Sequence, residues 1–188
     1  MKALSNTYSR SRRYACLAVL VLMIGGLAAL AWAAFTPATA RVVYNASDSV
    51  PIGWYRVTPL DTISAKEPNA IPVNCIVLID LPTDIATLAD HRGYLPLDVP
   101  LLKRVGAVAP QHVCIEGGSV HIDGVPVAQV LLVDAQARPL SSWSQCRQLK
   151  DGKLFLLSTT NPASFDSRYF GPVSVESVIG VAQRLDLE

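Results

Sequence analysis

Three stretches of this 188-residue chain combine residue types that folding alone does not require. The first is Asn45-Ala-Ser-Asp-Ser-Val-Pro-Ile-Gly-Trp-Tyr55, which offers two hydroxyls, Ser47 and Ser49. A serine becomes a nucleophile only where a base takes its proton and donors meet the developing oxyanion. Pro51 holds Val50 out of the helical region, so Ser49 lies in a restrained extended stretch that would fix its hydroxyl well. The competing reading is a plain turn, which Asn, Ser and Asp all favour. Asn45-Ala-Ser47 also matches a glycosylation sequon, a pattern too common to carry weight.

The base would come from the second stretch, Leu101-Leu-Lys-Arg-Val-Gly-Ala-Val-Ala109. Read as a strand, it puts Leu101, Lys103, Val105 and Ala107 on one face and Arg104 on the other. A lysine held among apolar groups disfavours its charged form, its pKa falls, and it can serve as a general base near neutral pH. A lysine that snorkels at a sheet edge would show the same pattern. The third stretch, Asn161-Pro-Ala-Ser-Phe-Asp-Ser-Arg-Tyr-Phe-Gly171, offers Asp166 and Arg168. By themselves these read as an ion pair organising a loop, with Phe165, Tyr169 and Phe170 as core anchors.

The elements that must position these groups are short. Runs rich in β-branched residues cover Arg41–Tyr44, Trp54–Thr58, Cys75–Leu81, Leu101–Ala109, Ser119–Ile122, Val125–Leu132, Leu154–Ser158 and Ser177–Arg184. Turn residues separate them at close spacing, which predicts a β-dominated domain. Val120 to Val127 alternates apolar residues around Asp123-Gly124, the signature of a two-residue hairpin with a type I′ turn. Thirteen prolines limit helices beyond the apolar N-terminal run, and only Thr83–Arg92 suits a short one.

Before this domain lies a different kind of sequence. Residues 1–13 carry Lys2, Arg10, Arg12 and Arg13 with no acid, and residues 14–35 run for 22 positions without a charge. At ~1.5 Å per residue a helix of that length spans about 33 Å, close to the ~30 Å hydrocarbon thickness of a bilayer. The basic flank places residues 1–13 in the cytoplasm, 14–35 across the membrane as an anchor, and 36–188 outside the cytoplasm as the working domain. A cleavable signal peptide is the alternative, with Ala38-Thr39-Ala40 as its cleavage site, but the apolar run exceeds the usual h-region. The chain is 51% hydrophobic and 16% charged, which excludes a disordered protein. Outside residues 1–13 it keeps 12 of its 16 basic and all 15 acidic residues, a net of −3, which argues against nucleic acid as a partner.

Cys16 falls in the apolar run, and Cys75 in a strand-like run that suits a buried free thiol. Cys114 and Cys146 sit near loops and are the expected disulfide pair in an oxidising compartment. Closing that loop would contribute on the order of 3 kcal/mol. No C-x-x-C or H-E-x-x-H occurs and the three histidines are dispersed, so no metal is expected.

Taken in order, the three stretches resemble the type I signal peptidase family, and within it the conjugative-transfer, TraF-like branch. The resemblance rests on N-x-S-x-S-x-P-x-G-x-Y at Asn45–Tyr55, L-K-R-V at Leu102–Val105 and S-F-D-S-R-Y-F-G at Ser164–Gly171, behind a basic N-terminus and one apolar run. It implies a signal-peptidase-like β-fold domain with one N-terminal transmembrane helix, seated in the bacterial inner membrane with the domain in the periplasm. It implies Ser49 as nucleophile, Lys103 as general base and Ser47 as an oxyanion donor. Ser164 would hydrogen-bond the lysine, with Asp166 and Arg168 bracing the site.

Two departures stand out. The nucleophile lies in Ser-Val-Pro-Ile-Gly rather than the Ser-Met-x-Pro-Thr of housekeeping members, and Ala109-Pro110-Gln111 replaces the common Gly-Asp after the lysine strand. The implied activity is a serine endopeptidase that cleaves, or cleaves and cyclises, pilin-type precursors for a conjugative or type IV secretion apparatus. Its partners would be the membrane, that precursor and components of the apparatus, and no organic cofactor would be needed. The alternative outside enzymology is a non-catalytic envelope β-domain that acts as an assembly factor. A cytoplasmic self-cleaving regulator fits poorly, because the apolar run stands where its DNA-binding domain would be.

Overall fold

The structure, a computed structural model, describes residues 17–31, 42–60 and 71–185. The chain divides into two compact units, residues 1–39 and 40–188. In the first, residues 17–31 form helix α1, apolar on every side and exposed, with Leu22 and Val21 among its side chains. Among the described residues no helix is long and apolar enough to cross a membrane. The rest of the expected anchor, residues 14–16 and 32–35, lies outside the described residues, as does the basic stretch 1–13.

The second unit is built from short antiparallel strands. A seven-stranded sheet takes the order β1-β2-β11-β3-β4-β9-β10, where β1 is Val42–Asn45, β2 Gly53–Pro59, β3 Ile76–Ile79, β4 Leu101–Val108, β9 Lys153–Leu156, β10 Val173–Ser174 and β11 Val178–Arg184. A four-stranded sheet takes the order β7-β6-β5-β8, from β5 His112–Glu116, β6 Ser119–Ile122, β7 Val125–Gln129 and β8 Cys146–Gln148. Two short helices complete it, α2 Thr83–His91 and α3 Ser167–Phe170.

The expected hairpin is present. Ile122 pairs with Val125, and the two residues between them, Asp123 and Gly124, have φ of 51° and 82°, the left-handed values that a type I′ turn demands. Three strands were not foreseen. In β5, Val113, Cys114 and Ile115 are all buried, so the alternation that marks a half-buried strand is missing. The three exposed residues of β8 are too few to show a period, and pairing with β5 holds them. With two residues, β10 exists only through its partners in β9. The run Val125–Leu132 leaves its strand at Gln129, and Cys75 is half-buried just ahead of β3 rather than buried within it.

Burial on both faces of β4 decides where chemistry can occur. Leu101 and Val105 join Val77, Ile79, Leu154 and Leu156 in one apolar cluster, whereas Leu102 packs with Val50, Tyr55, Val57 and Leu78 in another. Val77 stands directly opposite Lys103 across the sheet. Phe155 and Leu157, on and just after β9, reach a third cluster with Val113 and Val120, which ties the two sheets together. The lysine is thus carried into the interior by a strand whose apolar neighbours have no alternative but to be buried.

Candidate active site

The loop that carries the candidate nucleophile is shaped by one amide. Asn45, buried at the end of β1, donates from Nδ2 to the carbonyls of Ser47 (2.7 Å), Val50 (2.9 Å) and Pro51 (3.2 Å). Its Oδ1 accepts from the Ser47 N–H (3.2 Å) and the Ser47 hydroxyl (3.0 Å). A side chain that saturates the loop's backbone in this way cannot present its nitrogen for glycosylation. Below it, the Tyr55 hydroxyl donates to the Pro51 carbonyl at 2.6 Å, and burial pushes that phenol's pKa up. Pro51 and Val50 are thereby pinned, and Ser49 is displayed at the rim of a cleft.

The cleft has a volume of about 240 Å³ and is shared by Ser47, Ser49, Lys103 and Ser164, with Asp48 and Asn161 also on its wall. Ser47 Oγ and Ser49 Oγ are 3.2 Å apart. Because the Ser47 proton is engaged by Asn45, the proton of that contact belongs to Ser49, and Ser47 must turn its hydroxyl before it can serve an oxyanion. Lys103 is only 2% exposed, and its Nζ donates to the Ser164 hydroxyl. Among the described residues no hydrogen bond joins Ser49 to Lys103, although both line the one cleft.

Burial pushes the Lys103 amine from its ordinary 10.5 down to about 8, against the attraction of Asp166, which raises it; Arg168 lowers it further and Asp48 opposes. The snorkelling alternative is therefore not what the strand does: the ammonium end is enclosed rather than led to water.

Asp166 and Arg168 lie behind the cleft, not in it, and neither is exposed at all. Arg168 meets Asp166 with two parallel contacts, Nε to Oδ1 at 2.8 Å and Nη2 to Oδ2 at 2.9 Å. Its remaining donors clamp the chain around Ser164, reaching the carbonyls of Pro162 (2.8 Å), Ser164 (3.0 Å) and, on β7, Gln129 (2.8 Å). Asp166 also caps α3 through the Arg168 N–H and accepts from the Ser158 N–H at 2.9 Å. All hydrogen-bonding capacity of this buried pair is thus used, which is the condition under which burying it is tolerable.

Two contributors were not foreseen. The Ser158 hydroxyl donates to the Ser49 carbonyl (2.7 Å) and the Thr160 hydroxyl to the Asp48 carbonyl (2.8 Å), while Asn161 Nδ2 donates to the Asp48 carboxylate. The sequence signal was a run of hydroxyl and amide residues, Ser158-Thr-Thr-Asn161, directly after an apolar strand. Of the three expected core anchors, Phe170 packs against the core cluster of Val77, Ile79, Leu154 and Leu156. Phe165 and Tyr169 are half-buried instead and cluster with Tyr94, Phe165 lying 5.0 Å from Tyr94 and 5.9 Å from Tyr169.

Away from the cleft, Cys114 and Cys146 stand opposite one another in the β5–β8 register and form a disulfide. Glu116 lies near both sulfurs, which the disulfide engages. The turn after β4 passes through a cis Ala109–Pro110 peptide, and the Gln111 N–H donates to the Val108 carbonyl at 2.9 Å.

Comparison with known proteins extends these observations over the chain. Residues 14–185 match the family model described as signal peptidase, peptidase S26. The chain is 37% identical over 150 residues to a probable conjugal transfer protein TraF of Sinorhizobium fredii, covering 75% of this chain and 74% of that one. It is 31% identical over 178 residues to a plasmid transfer protein TraF of Escherichia coli, covering 90% and 95%. It is 33% identical over 147 residues to a conjugal transfer protein TraF of Agrobacterium tumefaciens, covering 74% and 78%. Because the family match runs from the apolar helix to the last strand rather than over a single motif, this chain belongs to the signal peptidase family, peptidase S26.

Proposed function

We propose that the protein is a serine endopeptidase with a Ser49/Lys103 dyad that matures pilin-type precursors for a conjugative or type IV secretion apparatus. The observation that carries this reading is the enclosed Lys103 amine, with its pKa lowered to about 8, in the same cleft as a serine whose loop is fixed from both sides. A base poised near the working pH is what proton abstraction from a hydroxyl needs.

In the reaction, the neutral Lys103 amine takes the Ser49 proton as Ser49 Oγ bonds to the scissile carbonyl carbon. The Ser49 N–H, which makes no hydrogen bond among the described residues, and the reoriented Ser47 hydroxyl meet the oxyanion. As the C–N bond breaks, Lys103 returns the proton to the leaving amine. A water deprotonated by Lys103 then releases the acyl group, or an amine of the product does so and closes a ring. Ser164 holds the lysine end, and the Asp166–Arg168 pair holds Ser164. Along β4, Leu101–Lys103 have no strand partner on the β9 side among the described residues, and an extended precursor would lie against that edge on its way to Ser49.

The setting is proposed to be the bacterial inner membrane, with residues 14–35 as a retained anchor and the domain in the periplasm. Tethering raises the enzyme's effective concentration at a membrane-bound precursor. Val42, Tyr44, Ile52 and Trp54 are exposed on and beside β1 and β2, an apolar-aromatic surface of the kind that lies at a lipid interface. The names of the relatives, conjugal and plasmid transfer proteins, support the apparatus.

The test is mass spectrometry of a pilin-type precursor co-expressed with the protein or with its Ser49→Ala form. A shortened product made only by the wild type supports the reading, and its mass tells hydrolysis from ring closure. Equal processing by Ser49→Ala would return the protein to the role of an assembly factor.

A further inference from the structure

One wall of the cleft is held far more tightly than a surface loop requires. Gly93, at φ 68°, ends α2 and turns the chain so that the Tyr94 N–H donates to the Ala89 carbonyl at 2.8 Å. This brings Tyr94, with Ala89, Leu95 and Phe165, onto the wall of the same cleft that Ser49 and Lys103 line.

The ring is then fixed from outside by a turn that belongs to the other half of the domain. Between β7 and β8, Val133 bridges to Pro139, and the Asp134 N–H donates to the Arg138 carbonyl at 3.0 Å. Inside that turn the Asp134 carboxylate accepts from the Tyr94 hydroxyl, from Arg138 Nε (2.7 Å) and from the N–H groups of Gln136 and Arg138 (2.9 Å each). Burial acts to raise its pKa, but these hydrogen bonds hold it well below the usual carboxylate range.

Arg138 lies over the Tyr94 ring at 5.4 Å and also donates to the Arg92 carbonyl at 2.8 Å, while Arg92 Nη1 donates to the Pro139 carbonyl at 2.9 Å. Tyr94 therefore has its hydroxyl tied, one face covered by a guanidinium and Phe165 beside it. A pocket discriminates by size only if its wall does not yield, and rigidity comes from supporting contacts of this kind.

We propose that Tyr94 is a specificity-determining residue, a fixed wall that limits the size of the substrate side chain beside the scissile bond, and that Asp134 is the positioning residue that keeps it there. The inference rests on the peptidase reading. It assigns to a turn of the four-stranded half a role in substrate choice made in the seven-stranded half.

The test uses two peptides of precursor sequence that differ only in the residue before the cut, Ala in one and Leu in the other, cleaved by the full-length protein in detergent. Tyr94→Ala lowers the Ala-over-Leu ratio of kcat/KM by at least about tenfold, the scale of discrimination by apolar pockets. Tyr94→Phe, which keeps the ring, stays within about threefold of wild type, and Asp134→Ala falls between the two.

The readout is a ratio on one sample, so partial misfolding cancels, and Tyr94→Leu replaces Tyr94→Ala if the latter does not fold. A ratio unchanged within about twofold in the Ala or Leu variant overturns the wall while the peptidase reading stands. Cleavage of neither peptide by wild type, as by Ser49→Ala, overturns both.

Discussion

Lys103 and Ser164, 61 residues apart in the chain, share a hydrogen bond in the buried floor of the cleft that Ser49 lines. The Ser164 hydroxyl accepts a hydrogen bond from one N–H of the amine and leaves the amine's lone pair, once neutral, free to turn toward Ser49. That relationship sets the first two expectations.

Replacement of either Ser49 or Lys103 by Ala lowers kcat by about 10⁴-fold or more, and the double replacement is hardly worse, because the two act as one unit. Circular dichroism of the variants should match wild type. Rates from a peptide assay check the numbers, and additive losses in the double variant would count against a shared step.

The pH dependence follows from the lowered Lys103 pKa. kcat/KM rises about tenfold per pH unit below about 8 and levels off above it, since the neutral amine is the reactive form. Stability moves in the same direction for a separate reason. Between about 8 and 10.5 the folded lysine has lost its proton while the unfolded one still holds it, so stability rises with pH through that window. Lys103→Met removes the burden of a buried charge and is more stable than wild type at pH 7, on the order of 3 kcal/mol, while inactive. Urea melts at pH 7 and pH 11 check this, the gap closing at the higher pH.

Removing one member of the buried ion pair leaves the other uncompensated. Asp166→Ala costs about 3–5 kcal/mol, because Arg168 keeps its charge in a site with no exposure. The midpoint of chemical denaturation measures it, and a change below about 1 kcal/mol would show the pair to be dispensable.

Asn45→Ala strips the nucleophile loop of its organising amide. The expected outcome is a drop of about 100-fold in kcat from a misplaced Ser49. The accompanying loss of stability is about 1–3 kcal/mol, from carbonyls left without partners. Paired kinetics and thermal melts separate the two effects.

Reduction of the Cys114–Cys146 disulfide lowers stability by about 3 kcal/mol, because the unfolded chain regains the freedom of a long loop. Denaturation with and without dithiothreitol reports it. Cys75 stays slow to alkylate in the folded protein, since burial pushes its thiol up to about 11.

Strand-forming runs, the Asp123-Gly124 turn and the face that Lys103 shares with Leu101 and Val105 could all be read along the chain. Each is a local pattern, governed by the period of a strand or by the φ preference of two residues. Of the polar positions that recur with the lysine, Ser47, Ser49, Asp166 and Arg168 stood out as residue types but read equally well as a turn and a loop ion pair; Ser164, and the grouping of all five, came from the order of three motifs that resemble a family. Harder to see were β5, whose central residues are buried on both faces, and the short strands β8 and β10, which exist only through their partners.

What the amino-acid order determined by itself, then, was a β-dominated domain behind an apolar run, and a small set of polar candidates of the residue types that the proposed acyl transfer would use. Tertiary structure alone decided that Ser158 and Thr160 grip the backbone of Ser49 and Asp48 from 109 to 112 residues away, and that a turn between β7 and β8 fixes Tyr94 in the cleft. The reason is that periodicity and turn preference act over a few residues. A hydrogen bond between distant segments has no local signature, and comes into being only when burial of the shared core has brought those segments together.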